Sequence, residues 1–388
     1  MKYDFETVVN RSVQGSGKWM ALSKEEVEMG IVPLSVADME FMTPLPIVEG
    51  LKKHLDTNIL GYTGPTDAYY NATISFMKRH HGINVCKEDF FITPGVVTAL
   101  GFAVQAYTKP TDSVCIISPV YYPFSMAIEE NGRTIVRSEL VYENGAYTIN
   151  FEDLEAKLSS DEVTMMIFCS PHNPVGRVWS KEEVETVVKL CKKHNVFLVS
   201  DEIHMDLIMP GYTHTSAALF EEYKDNLMVC SSCSKTFNLA GMQISNIFIF
   251  NDERRNAFRE LLRKNHCFMA TNLAYKALEL AYTECEEWLE ELIQVLDTNR
   301  KLVKSYLNEH LPEVKVVELQ GTYLQWLDLT YLNLTKEELE AKMKKHHLYL
   351  DEGYIFGEGG VGFERIALAA PTHVIQAALE RLVAACKE

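Results

Sequence analysis

Between residues 85 and 250 the chain alternates short, uniformly apolar runs with segments of helical period. The runs at 114–118, 164–169, 196–200 and 226–231 are four to six residues long and rich in Val, Ile, Leu, Met and Phe, with no polar alternation. That pattern predicts strands covered on both faces. The stretches between them, 151–158 and 181–194, are amphipathic. In the second, Val184, Val187, Val188 and Cys191 fall at helical spacing, and Ser180 with Glu183 forms a capping box. Alternating strands and helices predict a mainly parallel sheet with right-handed crossovers.

The last third reads differently. Helices are expected at 256–266, 272–282 and 286–311, the last closed by Pro312. A hairpin-like pair, 314–319 and 323–329, surrounds Gln320-Gly321. A helix at 336–346, a strand near Tyr349, a glycine-rich loop (353–362), a strand at 363–368 and a helix at 373–386 complete an α+β lobe, to which the long helix is the connector. No repeat or low-complexity tract interrupts the pattern.

Composition narrows the function classes. The 388 residues carry 37 Lys+Arg against 54 Asp+Glu, a net charge of −17. No basic stripe suited to a phosphate backbone is present, which argues against nucleic acid. The densest basic patch, 342–347, shares its helix with Glu337, Glu338 and Glu340 and reads as a solvated face. No apolar run approaches the ~18–20 residues of a membrane span, and no apolar targeting segment follows Met1. The nine cysteines are odd in number, and several lie inside apolar runs, which fits a reducing, cytoplasmic setting. Cys230 and Cys233 form a bare C-x-x-C without a second pair at zinc spacing.

In an open α/β sheet, ligands sit beyond the carboxyl ends of the strands. Those ends here lead into Tyr121 and Tyr122, into His172 and Asn173, into Asp201, Glu202 and His204, and into Ser232, Ser234 and Lys235. A desolvated lysine amine opposite a carboxylate is the pairing that pyridoxal phosphate (PLP) needs. A phosphate needs donors, and Gly95 with the amides of Val96 and Val97 opens a helix that can supply them.

The segments Ser170-Pro-His-Asn-Pro-Val-Gly, Ser200-Asp-Glu-Ile-His and Ser234-Lys-Thr-Phe-Asn-Leu-Ala-Gly resemble fold-type I PLP-dependent enzymes. With Val32-Pro-Leu-Ser-Val-Ala-Asp-Met-Glu-Phe, Leu60-Gly-Tyr-Thr-Gly-Pro, Asp351-Glu-Gly-Tyr-Ile-Phe-Gly and Gly362-Phe-Glu-Arg, the chain resembles the MalY/PatB group of cystathionine β-lyases and cysteine C–S lyases over essentially its whole length. The resemblance implies an α/β transferase fold of type I: a large PLP domain, residues 46–288, and a small domain from 1–45 and 289–388. It implies Lys235 as the Schiff-base lysine and Cα base, Asp201 as partner of the pyridinium nitrogen, and Tyr121 stacked on the ring beside Tyr122. Asn173 and His204 would contact the cofactor. Gly95, Val96, Val97, Ser232 and Ser234 would hold its phosphate, joined by Tyr62 from the other subunit of a homodimer. Arg365, Asn173, Tyr122 and Ala37 would bind the amino-acid substrate. Simpler readings stand beside these: an N-cap for Asp201, an Asx turn for Asn173, a core position for Tyr122 and a salt bridge to Glu364 for Arg365.

The implied activity is α,β-elimination of L-cysteine, cystathionine or a related S-substituted cysteine to pyruvate, ammonia and a thiol or hydrogen sulfide. An aminotransferase on the same cofactor is the alternative, with an additional protein-binding regulatory role as a third. His204 and Gln243 stand where aminotransferases often carry tyrosine and a phosphate-gripping arginine, which favours the lyase. Ala367 departs from the group's usual asparagine two residues past the arginine, which bears on how Arg365 is oriented.

Overall fold

A computed structural model describes all 388 residues. The first nine strands are β1 (Phe90–Thr93), β2 (Ser113–Ser118), β3 (Thr134–Glu139), β4 (Val141–Glu143), β5 (Ala146–Thr148), β6 (Val163–Cys169), β7 (Phe197–Asp201), β8 (Leu227–Ser231) and β9 (Ser245–Ile249). Seven of them form one sheet in the order β1-β9-β8-β7-β6-β2-β3. From β8 to β3 the strands are parallel, and β9 and β1 close the other edge antiparallel. Strands β4 and β5 pair as a separate hairpin.

The lack of alternation in the apolar runs has a direct structural cause. Cys115 and Ile117 of β2, with Met166 and Phe168 of β6, face one apolar cluster. Val114 and Ile116, with Met165 and Ile167, face another on the opposite side. Helices cover both faces, so every position of these strands leaves water. Strands β1, β3 and β9 were not among the predicted runs. The edge strand β3 carries Arg137 and Glu139; three of its six residues are exposed and only one is fully buried. Strands β1 and β9 are short and begin or end on polar residues. Helix Lys181–Lys193 starts with the expected Ser180/Glu183 capping box.

The last third forms a second, fully antiparallel sheet from β10 (Lys315–Val316), β11 (Leu324–Asp328), β12 (Asp351–Glu352) and β13 (Phe363–Ala367), in the order β10-β11-β13-β12. The strand expected near Tyr349 is this short β12. The bend at Gln320-Gly321 docks on the main sheet's loops: both amides donate to the Gly176 carbonyl, and Thr322 N–H donates to Leu207. A Cβ on Gly321 would stand 2.7 Å from Val178 Cγ2, so this approach needs glycine. The helix at Glu286–His310 runs alongside. The basic residues of helix Lys336–Lys345 do form a solvated face, with Lys344 paired to Glu340 and Lys345 to Glu388.

The segment before the first long helix is fixed by a charged cluster. Lys18 Nζ lies 2.8 Å from Asp38 and 2.7 Å from Glu40, Arg11 pairs with both acids, and Trp19 Nε1 donates to Glu40 at 2.9 Å. Two cations balance two anions, and the Lys18 and Glu40 side chains are each only 1% exposed. Breaking one partner of a buried pair strands the other charge. Lys18→Met is therefore expected to lower unfolding stability by about 3–5 kcal/mol, read as a lower urea midpoint at unchanged slope. The double change with Glu40→Gln should lose less than the sum of the two.

Candidate functional site

A cleft of ≈ 320 Å³ opens at the carboxyl ends of the parallel strands. Ala37, Gly95, Val96, Val97, Tyr121, Asn173, Asp201, His204, Ser234 and Lys235 line it, so the structure brings ten of the fourteen predicted site residues to one wall. The reason is topological: β2, β6, β7 and β8 are parallel neighbours, and each ends within a few residues of one of these groups.

Lys235 sits in the one-turn helix Cys233–Thr236 just after β8. Its Nζ donates to the Ala37 carbonyl at 2.6 Å. Burial, and then the Arg365 charge, bring the amine down to about 8. Asp201 ends β7, is 4% exposed, and accepts the Ile203 amide at 3.1 Å. Its carboxyl is pushed up to about 7, chiefly by burial and further by Glu202, against the pull of the Ile203 amide and Lys235. No helix begins after Asp201, so it is not an N-cap; its contact with the Ile203 amide leaves the carboxyl facing the cleft.

The neighbouring Glu202 is fully buried and serves the scaffold. It accepts from Ser200 Oγ at 2.8 Å and the Ala217 amide at 3.0 Å, and pairs with His214 Nε2 at 3.1 Å. His204 is 3% exposed, and its Nδ1 has no partner. Burial, with Lys235 and Arg365 close by, holds its imidazole well below the ordinary range and therefore neutral.

Helix Val96–Tyr107 points its amino end at the cleft. It has no side-chain cap, and the amides of Val96, Val97 and Thr98 donate to no carbonyl. Gly95 precedes it at φ +94°, a left-handed turn that glycine alone takes without strain. Such an end attracts an anion. Ser234 adds its hydroxyl, and Gln243 closes the rim.

Four predicted residues lie outside the lining. Ser232 is 1% exposed; its hydroxyl donates to the Ile244 carbonyl at 2.7 Å and accepts the Ser234 amide at 3.1 Å, so it caps and orients the Ser234–Lys235 turn. Tyr122 stands at the mouth, 44% exposed, so the core position weighed for it is excluded. Tyr62 is wholly exposed to solvent and is not part of its own chain's cleft lining. Arg365 is behind the wall: Nη1 donates to Asn173 Oδ1 at 2.8 Å, and the guanidinium stacks 4.6 Å from the Phe356 ring. Its ionic partner is Asp351, not Glu364.

Pro94, Thr98, Cys169, Ile203, Ala240, Gln243 and Ile244 also line the cleft. Thr98 follows directly on the Gly95–Val97 helix start, and nothing in the sequence singles out the apolar members. The C-x-x-C thiols, Cys230 and Cys233, are both free and buried.

A half-buried amine tuned to about 8 has a measurable consequence. In cofactor-free protein, condensation of PLP with Lys235 is expected to quicken about tenfold per pH unit up to about pH 8 and then level off, because only the neutral amine is nucleophilic. Stopped-flow absorbance reads this; an ordinary lysine would keep rising toward pH 10.5.

Comparison with known proteins follows the same lines. Cystathionine beta-lyase PatB of Bacillus subtilis (strain 168) is 42% identical over 356 residues, covering 91% of this chain and 92% of that protein. The crystal structure of cystalysin from Treponema denticola, which contains a pyridoxal 5'-phosphate cofactor, superposes with a TM-score of 0.97 at 47% identity, covering 100% of this chain and 99% of that one. A PLP-bound C-S lyase from Staphylococcus hominis superposes at 0.91 with 30% identity, covering 100% and 99%. The family model described as aminotransferase class I and II matches residues 30–382. This chain belongs to the aminotransferase class I and II family.

Proposed function

We propose that this chain is a PLP-dependent C–S β-lyase that converts L-cysteine, cystathionine or a related S-substituted cysteine, with water, to pyruvate, ammonia and a thiol or, from L-cysteine, hydrogen sulfide. The observation that carries the reading is the meeting, in one cleft, of a desolvated lysine, a buried carboxylate and an uncapped helix end. The residues fit the cofactor. The helix amides and the Gly95 turn suit its phosphate, the unpartnered His204 Nδ1 and the Asn173 amide suit polar ring substituents, and Asp201 suits its ring nitrogen. Sequence kinship to cystathionine β-lyase PatB and structural likeness to two PLP-containing proteins point the same way.

When bound, PLP supplies an aldehyde for amines and an electron-withdrawing ring that acidifies the substrate Cα–H. The protein's own groups do the rest. Arg365 binds the substrate carboxylate. Lys235 Nζ, once free and neutral, takes the Cα proton. Asp201 keeps a proton on the ring nitrogen through a charged hydrogen bond. Tyr121, half-buried and with its phenol held up at about 12 by burial, stays protonated and offers an aromatic face and a hydroxyl. Tyr122 at the mouth meets the incoming side chain.

The fold divides for this purpose into the cofactor domain at 46–288 and a smaller domain of 1–45 and 289–388 that brings Ala37 and Arg365. The functional unit is a homodimer in the cytoplasm. Fully exposed Tyr62, beside exposed Ile59 and Leu60, supports this, since Tyr62 is free to reach a neighbour's phosphate. The deciding experiment is pyruvate formation from L-cysteine and from cystathionine by the holoenzyme. Lyase activity gives pyruvate in equal amount to hydrogen sulfide from L-cysteine, or to free thiol from cystathionine, without added keto acid. No pyruvate, with amino transfer to an added keto acid, would replace the reading with an aminotransferase.

A further inference from the structure

Asp351 joins two parts of the site that the sequence leaves unconnected. Its Oδ2 accepts Arg365 Nε at 3.2 Å, pairs with Arg365 Nη2, and also accepts the Val36 amide at 2.9 Å. The register explains the first contact, since Asp351 on β12 lies directly across from Arg365 on β13. The second is less expected. Val36 has φ +56°, and a β-branched residue in the left-handed region is strained. The next residue, Ala37, turns its carbonyl to Lys235 Nζ at 2.6 Å and to the Tyr323 hydroxyl at 2.8 Å. The residue after that, Asp38, is held by Lys18 and Arg11.

The guanidinium's donors can be counted. Of five N–H groups, Asp351 takes Nε–H and one on Nη2, and Asn173 takes one on Nη1. Two remain, one on each terminal nitrogen, and these are the donors left for a carboxylate. Asp351 therefore occupies the Nε side of the guanidinium and leaves one donor on each terminal nitrogen. Ala367, two residues along β13, is a methyl group that donates nothing from its side chain, so the orienting contacts on Arg365 come from Asp351, Asn173 and the Phe356 ring.

We propose that Asp351 is a positioning residue: it aims Arg365 at the substrate carboxylate and, by holding Val36 in its strained conformation, sets the Val36–Asp38 backbone over Lys235 as part of the same unit. The inference rests on the reading of Arg365 as the carboxylate clamp. It predicts that carboxylate recognition and the placement of the Ala37 carbonyl fail together when Asp351 is lost.

The test compares holoenzymes of Asp351→Ala, Asp351→Asn, Arg365→Ala and the double variant Asp351→Ala/Arg365→Ala. Two readouts are used: steady-state kinetics on L-cysteine, and the dissociation constant of glycine followed by cofactor absorbance. Asp351→Ala is expected to raise KM and the glycine constant about tenfold or more, with kcat changed about threefold or less. Asp351→Asn, which keeps the shape and an acceptor oxygen, should lie between it and the parent, and secures the test if the alanine variant folds poorly. The double variant should bind glycine no more weakly than Arg365→Ala alone, because the substrate carboxylate feels Asp351 through the arginine. Multiplying losses, or an unchanged glycine constant in Asp351→Ala, would overturn the proposal. An unchanged constant in Arg365→Ala would instead overturn the clamp reading on which it rests.

Discussion

Lys235→Ala is expected to lower kcat for pyruvate formation by about 10⁴-fold or more, with the protein still folded. The lysine is asked to serve twice, as the amine that condenses with PLP and as the base that removes the Cα proton. Both tasks need a neutral nitrogen at working pH, and the structure supplies it: burial and the Arg365 charge bring the amine to about 8, so a sizeable share is unprotonated near neutrality. Alanine removes the nitrogen. Arginine at 235 should not rescue activity, because a guanidinium stays charged. The folded state loses one hydrogen bond, to the Ala37 carbonyl, and little packing, so the melting temperature should move only a few degrees. Single-turnover pyruvate release beside a thermal melt checks both halves. Activity within about a hundredfold of the parent would show that another group removes the proton.

Asp201→Asn is expected to cost roughly 10²–10³-fold in kcat, equivalent to about 3–4 kcal/mol, with KM nearly unchanged. Asparagine preserves the shape and can still accept the Ile203 amide, but it carries no charge to hold a proton on the ring nitrogen. The same change has the opposite effect on the cofactor-free fold. The Asp201 carboxyl is raised by burial to about 7, so between the ordinary carboxylate range and pH 7 the native chain keeps a proton that the unfolded chain has released. Stability of the cofactor-free protein therefore falls as pH rises through that window. Asp201→Asn should flatten the slope, and PLP should flatten it in the parent as well, by supplying a cation that favours the ionised carboxylate. Urea titrations at pH 5 and pH 8, with and without PLP, read these signs directly. The combination of a folding cost and a catalytic gain at one residue marks a site where binding, not folding, decides the side chain.

The parts of the site that could be read from the chain are those where chemistry and strand position coincide along the sequence. Asp201 and Lys235 each end or follow a run apolar on both faces, and a parallel sheet puts all such ends on one edge. The capping signal at Ser180 and the Gly95-Val96-Val97 helix start were legible for the same reason: local geometry makes the residue choice. The burial of Ser232 was not legible in the same way: only the fold shows that its hydroxyl faces the Ile244 carbonyl. The pairing of Arg365 with Asp351 instead of adjacent Glu364 was equally hidden. Neighbours along a strand point to opposite faces, whereas cross-strand partners share one, and register is not written in any single segment.

By itself, then, the sequence determined the class of fold, the strand ends and the identities of the groups that gather there, because burial on two faces and helix capping are local constraints. The tertiary structure decided the rest. Contacts between residues more than three hundred positions apart, such as Val36 with Asp351, depend on how two sheets dock through the Gln320-Gly321 bend and on which face each strand presents. The long-range electrostatics that bring Lys235 to about 8 and Asp201 to about 7 arise only once those charges are taken from water together.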